Sequence, residues 1–537
     1  MNKTLSNFIL ALVIGLVLVN CANRGRPTGG EKDTTPPVIT SASPKNYATN
    51  FKSKEIRINF NEYIKINNLQ KQLIISPPMK TQPQITPLGG ASKYITIKIF
   101  DTLQPNTTYA FNFGNSIEDN NEGNPYPYFR YVFSTGKTID SLSVKGQIND
   151  ALSREPDTFV SVMLYEADAT YTDSIVYKKT PKYITNTLDS VTTFSIDNVK
   201  AGKYKLLAIK DANSDNKYQS KSDKIAFYKD FITVPNNDTY KLKLFKEAEA
   251  FKVIKPRQNA ANKIDFPFIG DYSNVKINLK SKTPANFKSR ITKDKETDSL
   301  YFWYTPKDLE IDSLIFKVSN KNYDNNFTVP LKDKKRDTLI IKTTSFGTIG
   351  SKELFKIHGS TPFKSFNTNK ITVINTDSVK VKFKTKFDTI NNTLALDFKK
   401  LESSTYQIKM LPEAITDFFG DKNDTLNYTV QTVPKSNFGN LRIKVNNATY
   451  PIIVQLTNAK GEIKYELISA KKEALDFLDI SPGKYYIRVI FDTNKNNKYD
   501  SGNYLKGVQP ERVSHFEISE SIRADWSYEE TLTLLKK

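Results

Sequence analysis

Two stretches of this chain put oxygen-bearing side chains at alternate positions. "DANSDNKYQSKSD" (211–223) offers Asp211, Asn213 and Asp215, and "DTNKNNKYDSGNY" (492–504) offers Asp492, Asn494, Asn496 and Asp500. An EF-type calcium loop takes oxygens at relative positions 1, 3, 5, 7 through the backbone, and 9, with Gly at 6 and a bidentate acid at 12. Lys217 and Gln219 complete the first five ligand positions of one loop, Lys498 and Asp500 those of the other. Asn216 stands where Gly is usual in the first loop, and asparagine enters the left-handed region readily. Ser222 and Asn503 occupy position 12, so neither loop has its acid there; Asp223 comes one residue late. The competing reading is an Asx-rich hairpin turn whose side chains bond their own backbone. Ca2+ is the only cofactor these residues suggest, and any such site should be weak, with Kd about 10⁻⁴–10⁻³ M.

Little else in the sequence points to catalysis. His358 and His515 are the only histidines and Cys21 the only cysteine. There is no glycine-rich phosphate loop, HExxH, GxSxG or Cys/His cluster. The histidines are expected at strand edges or loops. Glu62 and Asp119 could form an acid/base pair, but a loop-fixing role is expected of them. The expectation is a non-enzyme; an envelope enzyme stays as an alternative that needs a polar pocket at a domain junction.

Cys21 closes a different motif. Lys3 precedes an apolar run, Phe8–Val19, of a length suited to a signal peptide rather than to a span. The run ends "LVNC", which resembles the lipobox of bacterial lipoproteins and implies lipidation of Cys21, with the acyl chains as the membrane anchor. Asn20 departs from the usual small residue. Ala22, Asn23 and Arg24 replace the acidic cluster that surface-exposed lipoproteins of the Bacteroidetes type carry. The resemblance thus implies an outer-membrane lipoprotein facing the periplasm, with surface exposure left open.

Lys and Arg total 78 against 57 Asp and Glu, a net charge of +21. Lysines alternate with apolar residues, as in "SVKVKFKTKF", where Val379, Val381 and Phe383 should face in and Lys380, Lys382 and Lys384 out. Solvated strand faces explain that charge better than nucleic acid, which is not an expected partner. Attraction to anionic envelope polymers remains compatible with it.

The elements behind these residues have period two throughout: "EIRINF" (55–60), "YITIKIF" (94–100), "TYAFNF" (108–113), "KYKLLAI" (203–209) and "KYYIRVI" (484–490). Short turns separate them, which predicts an all-β chain of about five antiparallel sandwiches. One short helical turn is expected in "NNLQKQL" (67–73).

Two modules occur twice. Residues 36–137 contain Phe60 and Glu62, then Leu103, Pro105, Thr107, Thr108 and Tyr109, then Ile117, Asp119 and Gly123, and a closing Phe133–Gly136. This resembles the bacterial Ig-like family named after the S-layer protein SbsA. Leu401, Thr405, Tyr406, Ile415, Asp417 and Gly420 align with that stretch in a degenerate copy, 346–434. The second module spans 138–248 and 435–537: Gly202, Tyr204, Asp211 and Tyr218 align with Gly483, Tyr485, Asp492 and Tyr499. Its Gly-x-Tyr strand entry resembles the transthyretin-like or carboxypeptidase-regulatory sandwiches. Residues 1–21 form the signal peptide, 22–35 a tether, and 249–345 a β-sandwich of unclear family. Such a string could project as a rod.

Asp-Ser/Thr followed by an aliphatic residue or Thr recurs far above the about two or three copies that composition gives. The triplet also occurs at Thr102 and Ser190, and the hydroxyls taken as candidate acceptors are Thr34, Ser141, Ser174, Ser299, Ser313, Thr338, Ser378, Thr389 and Thr425. The triplet resembles the O-glycosylation acceptor of Bacteroidetes envelope proteins, and it is also ordinary turn chemistry at a strand entry. The expected function is a non-catalytic envelope scaffold or binding protein for an unknown protein or glycan. The alternative is an adhesin-like module recognising glycan or peptidoglycan, in which Trp303 and Trp526 are the aromatics to inspect, with a core role expected of each.

Overall fold

The computed structural model describes residues 33–188, 192–306, 309 and 311–535. The protein is almost entirely β, and one four-residue helix, Leu69–Gln72, falls in the predicted helical stretch. Among the described residues no helix is long and apolar enough to cross a membrane. Cys21 lies outside them.

Alternation drives each core. In Glu55–Ile66, Ile56, Ile58 and Phe60 turn inward onto Ile95 and Ile97 of the paired strand Ser92–Lys98. The facing sheet, Ile74–Ser76, Thr108–Asn112 and Arg130–Ser134, contributes Phe111 and Phe133. Four further cores lie between paired sheets along the chain, and their buried members run 144–244, 264–329, 349–430 and 441–534.

The predicted repeats share hydrogen bonds as well as spacing. Tyr109 Oη accepts from the Gln104 amide at 2.9 Å, and Tyr406 Oη from the Leu401 amide at 2.6 Å. This is the tyrosine corner of Ig-like sandwiches. The Thr107 amide donates to Thr135 Oγ1 and the Ser404 amide to Thr432 Oγ1, each at 3.0 Å. In the other pair, Tyr204 Oη donates to Lys200 O at 3.0 Å and Tyr485 Oη to Ser481 O at 2.8 Å. Their sheets have one order. Thr193–Val199, Leu142–Asp150 and Thr239–Leu244 correspond to Leu475–Ile480, Gly439–Asn446 and Ser527–Thr533. The second sheets, Tyr183–Asn186, Ser161–Glu166, Gly202–Lys210 and Lys224–Phe227, correspond to Ile463–Ser469, Ile452–Thr457, Tyr486–Phe491 and Val513–Glu517.

Several expectations change. The first and last strands of each of these modules pair parallel, Leu142–Asp150 with Thr239–Leu244 and Gly439–Asn446 with Ser527–Thr533. The whole intervening module serves as the crossover that a parallel pair requires. Val379 is 57% exposed, because its amide closes an Asx turn on Asn375 Oδ1 and the inward alternation starts only at Val381. Trp303 is in the interior at 2% exposure, but Trp526 is 52% exposed, packed beside Tyr528 and Arg523. His358 lies within Phe355–Gly359, a strand with a neighbour on each side, rather than at an edge; His515 does lie on an edge strand, Val513–Glu517. The chain also does not run out as an open rod, since 435–537 returns to pack on 138–248.

Candidate functional site: the paired Asp/Asn loops and their seam

Each loop leaves the end of a core strand, Gly202–Lys210 or Tyr486–Phe491, and is wound around its first aspartate. Asp211 Oδ1 accepts from the Asn213 and Ser214 amides at 2.9 and 2.7 Å, and Oδ2 from the Asn216 amide at 2.7 Å. Asp492 takes the Asn496 and Asn497 amides at 3.0 and 2.8 Å. Ser214 and Asn216 have positive φ of 57°, matched by Lys495 at 63° and Asn497 at 61°. The asparagine at position 6 therefore adopts the conformation that glycine has in a calcium loop. Burial pushes the Asp211 carboxyl up, against the lowering by its three amide donors.

The closing acid is present in both copies. Asp223 accepts from the Ala212 amide at 3.1 Å and the Gln219 amide at 2.7 Å. Glu511 takes the corresponding amides, Thr493 at 2.7 Å and Asp500 at 3.1 Å. Loop spacing misses Glu511, which is far beyond position 12. The recoverable signal was its distance to the following strand: Asp223 directly precedes Lys224–Phe227, and Glu511 is two residues before Val513–Glu517.

The remaining predicted ligands divide between the copies. Asp215 Oδ2 accepts from Gln219 Nε2 at 2.8 Å, while Gln219 Oε1 is buried without a partner. Asp500 Oδ2 accepts from Asn496 Nδ2 at 2.7 Å and also from Asn494 Nδ2. Among the described residues no group of three or more His, Cys, Asp or Glu side chains is placed to hold a metal. The carboxylates face amide donors, so a cation here would draw on asparagine and backbone oxygens for most of its ligands.

The two loops meet across a seam. Glu247, 9% exposed, accepts from Tyr218 Oη at 2.8 Å through Oε2 and from the Tyr504 amide at 2.6 Å through Oε1. Tyr504 is buried edge-on against Phe227, ring centroids 5.4 Å apart, within the apolar cluster on the outer face of the 161–227 sheet. A Cβ on Gly502 would stand 2.6 Å from the Phe245 ring, so only glycine allows this approach. Gln509 Nε2 donates to Phe227 O at 2.9 Å, and Ser501 Oγ donates to Lys246 O. Arg154 pairs with Glu517 at 2.7 Å and covers the Tyr486 ring at 4.1 Å. Arg488 Nη1 reaches Leu152 O at 3.4 Å. Burial pushes the Tyr218 and Tyr504 hydroxyls well up, reinforced by the Glu247 carboxylate in the first case.

Asp119 organises a separate loop by accepting four backbone amides, 121–124, at 2.6–3.2 Å. Asp417 does the same for the Phe419 and Asp421 amides. Burial, followed by Asp119, Asp33 and Glu122, raises the Glu62 carboxyl. Of the triplet hydroxyls, Thr34, Ser141, Ser174, Thr338, Ser378, Thr389 and Thr425 are on exposed residues, and Ser313 is half-buried. Ser299 is 5% exposed at the start of Ser299–Thr305 and has no room for a glycan, which corrects that assignment.

Residues 33–135 match the family of the bacterial Ig-like domain. No curated protein matches the chain. Among solved structures, that of the S-layer protein rSbsC(31-844) is 11% identical, covering 90% of this chain and 67% of that one, with a TM-score of 0.15. The titin I-band fragment I67–I69 is 14% identical, covering 54% of this chain and all of its own, with a TM-score of 0.13.

Proposed function

We propose that the chain is a non-catalytic lipoprotein of the cell envelope, anchored through Cys21 in the outer membrane and facing the periplasm, whose β-sandwiches form a scaffold that binds other envelope components. The observation that supports it best is the seam. Two copies of one module spend their loops, a buried carboxylate and a buried tyrosine on holding each other, as expected of a rigid presenting body. Asp119, one half of the Glu62–Asp119 pair, is turned onto four backbone amides. The bacterial Ig-like match over 33–135 agrees with a structural role. Calcium at the two loops and glycans at the exposed triplet hydroxyls belong to this proposal as additions.

Fractionation of the native host tests the anchor: the wild type should partition with membranes and incorporate labelled acyl chains, and Cys21→Ser should do neither. Equal membrane partitioning of Cys21→Ser would overturn the anchor. Crosslinking followed by pull-down from native membranes tests the scaffold, and recovery of the chain without any crosslinked component would count against it. Intact mass should exceed the lipid-modified polypeptide if the triplets are glycosylated.

A further inference from the structure

The sheet Ile341–Thr343, Phe355–Gly359, Thr393–Phe398 and Phe383–Asp388 buries one face in its module's core through Phe355, Ile357, Leu394 and Leu396. The register fixes what the other face carries. Lys342 is opposite His358. Lys356 and Lys386 flank the buried Ala395 from either side. A fourth lysine comes from the preceding module. The Lys293 amide donates to Ile390 O at 2.7 Å, and this bond brings the turn carrying Lys295 onto the sheet.

These cations lack anions. Among the described residues Lys295, Lys342, Lys356 and Lys386 make no side-chain hydrogen bond or ion pair, although lysines elsewhere in the same module do: Lys370 and Lys422 share Glu413 at 2.8 and 2.5 Å. His358 Nδ1 is buried with no partner. Burial, Lys295 and Lys342 hold His358 below its usual range, and burial and Lys356 lower Lys295. The nearby acids are committed or opposed. Asp388 accepts Asn391 N and Nδ2 at 2.9 and 2.7 Å, Asp397 is opposite Lys384, and Asp294 accepts Tyr301 Oη, leaving Glu296 exposed on the turn.

We infer that this face is a docking surface for an acidic polysaccharide, contacted by Lys295, Lys342, Lys356, Lys386 and His358. The cations spread over three strand spacings, about 14 Å, which suits a linear polyanion better than a single small anion. Lysines act as point charges, without the bidentate fork that arginine offers to phosphate. The face has no Phe, Tyr or Trp on which a nucleobase could stack. The inference deepens the binding reading above and does not depend on the lipid anchor, so its failure would leave the Cys21→Ser result standing.

The test uses the full chain in non-ionic detergent with a fluorescent polygalacturonate oligomer. Binding should weaken steadily as salt rises from about 50 to about 300 mM. The K342A/K356A/K386A variant should lose about tenfold or more in affinity, and K295A part of that. The K145A/K241A/K460A variant removes the same charge from exposed lysines on other modules and should bind as the wild type does. Because the chain has two histidines, the His358 imidazole can be followed by NMR. Saturating oligomer should raise its pKa and leave that of His515 in place. Equal loss in both triple variants, or an unmoved His358, would overturn the inference. So would displacement of the uronate by a single-stranded DNA oligomer that binds more tightly, which would assign the face to nucleic acid.

Discussion

Replacing Glu247 with alanine should open the seam without touching either sandwich core. The wild-type carboxylate accepts one hydrogen bond from each copy of the duplicated module, Tyr218 Oη on one side and the Tyr504 amide on the other. A hydrogen bond to a charged group contributes about 1.5–3 kcal/mol, and a buried donor left unpaired costs a similar amount. Tyr218 and Glu247 belong to the same copy, so only the Tyr504 bond crosses the seam; its loss is worth about 1.5–3 kcal/mol, or roughly 10- to 100-fold in the opening equilibrium. Hydrogen exchange of the 501–508 segment measures it directly, since the Tyr504 amide is protected by Glu247 itself. Exchange there should accelerate by that factor in Glu247→Ala. In Glu247→Gln the acceleration should be smaller, because the amide oxygen can keep one of the two donors. Protection of the 439–446 and 452–457 strands should stay as it is, because their bonds lie inside the module. Unchanged exchange at Tyr504 in Glu247→Ala would refute the claim that this carboxylate holds the two copies together.

Three further outcomes are expected. Tyr109→Phe and Tyr406→Phe each remove one corner hydrogen bond and should destabilise their own modules by about 0.5–1.5 kcal/mol, additively in chemical denaturation because the sites are far apart. Millimolar calcium should raise the melting temperature of the full chain, with the rise reduced in Asp492→Ala; no shift would discard the metal at both loops. Burial and neighbouring cations hold both histidines below the usual imidazole range, with Arg488 and Arg154 acting on His515. The unfolded chain therefore takes up protons first as pH falls. The stability tied to neutral imidazoles should be complete above the ordinary imidazole range and decline as pH falls through and below it, and the His358→Gln/His515→Gln variant should flatten that decline.

Local rules made the sheets and the repeats legible. Alternation in "EIRINF" predicted the inward set Ile56, Ile58 and Phe60, and Tyr109 and Tyr406 could be paired from spacing alone because their corner bonds are made within five residues. What depends on contacts far apart in sequence was not legible. Nothing in "SGNYLKG" indicates that Tyr504 is buried against Phe227, and alternation in the neighbouring strand does not reveal that Trp526, just before Ser527–Thr533, stays exposed. Val379 failed for a local reason: the Asx turn at Asn375 competes with strand extension and wins for four residues.

The divergence of the two loops has a physical explanation in the seam. Between the equivalent positions Gln219 and Asp223 the first copy has three residues, 220–222; between Asp500 and Glu511 the second has ten, 501–510. The longer segment supplies Ser501, Gly502, Tyr504 and Gln509, each of which contacts the first copy. The insertion displaced the closing acid along the sequence, yet Glu511 still reaches the two amides that Asp223 reaches in the first copy. The amide-bonded loop is thus the constant part of the module and the inserted segment the docking part. An interaction confined to one copy could not require the acid to be kept in both. A loop that served only docking would not need it, since none of the seam contacts is made by Glu511. The carboxylate closure is best explained by what the loop itself requires, acceptors for the backbone amides turned inward at the end of a core strand, five in the first copy and four in the second.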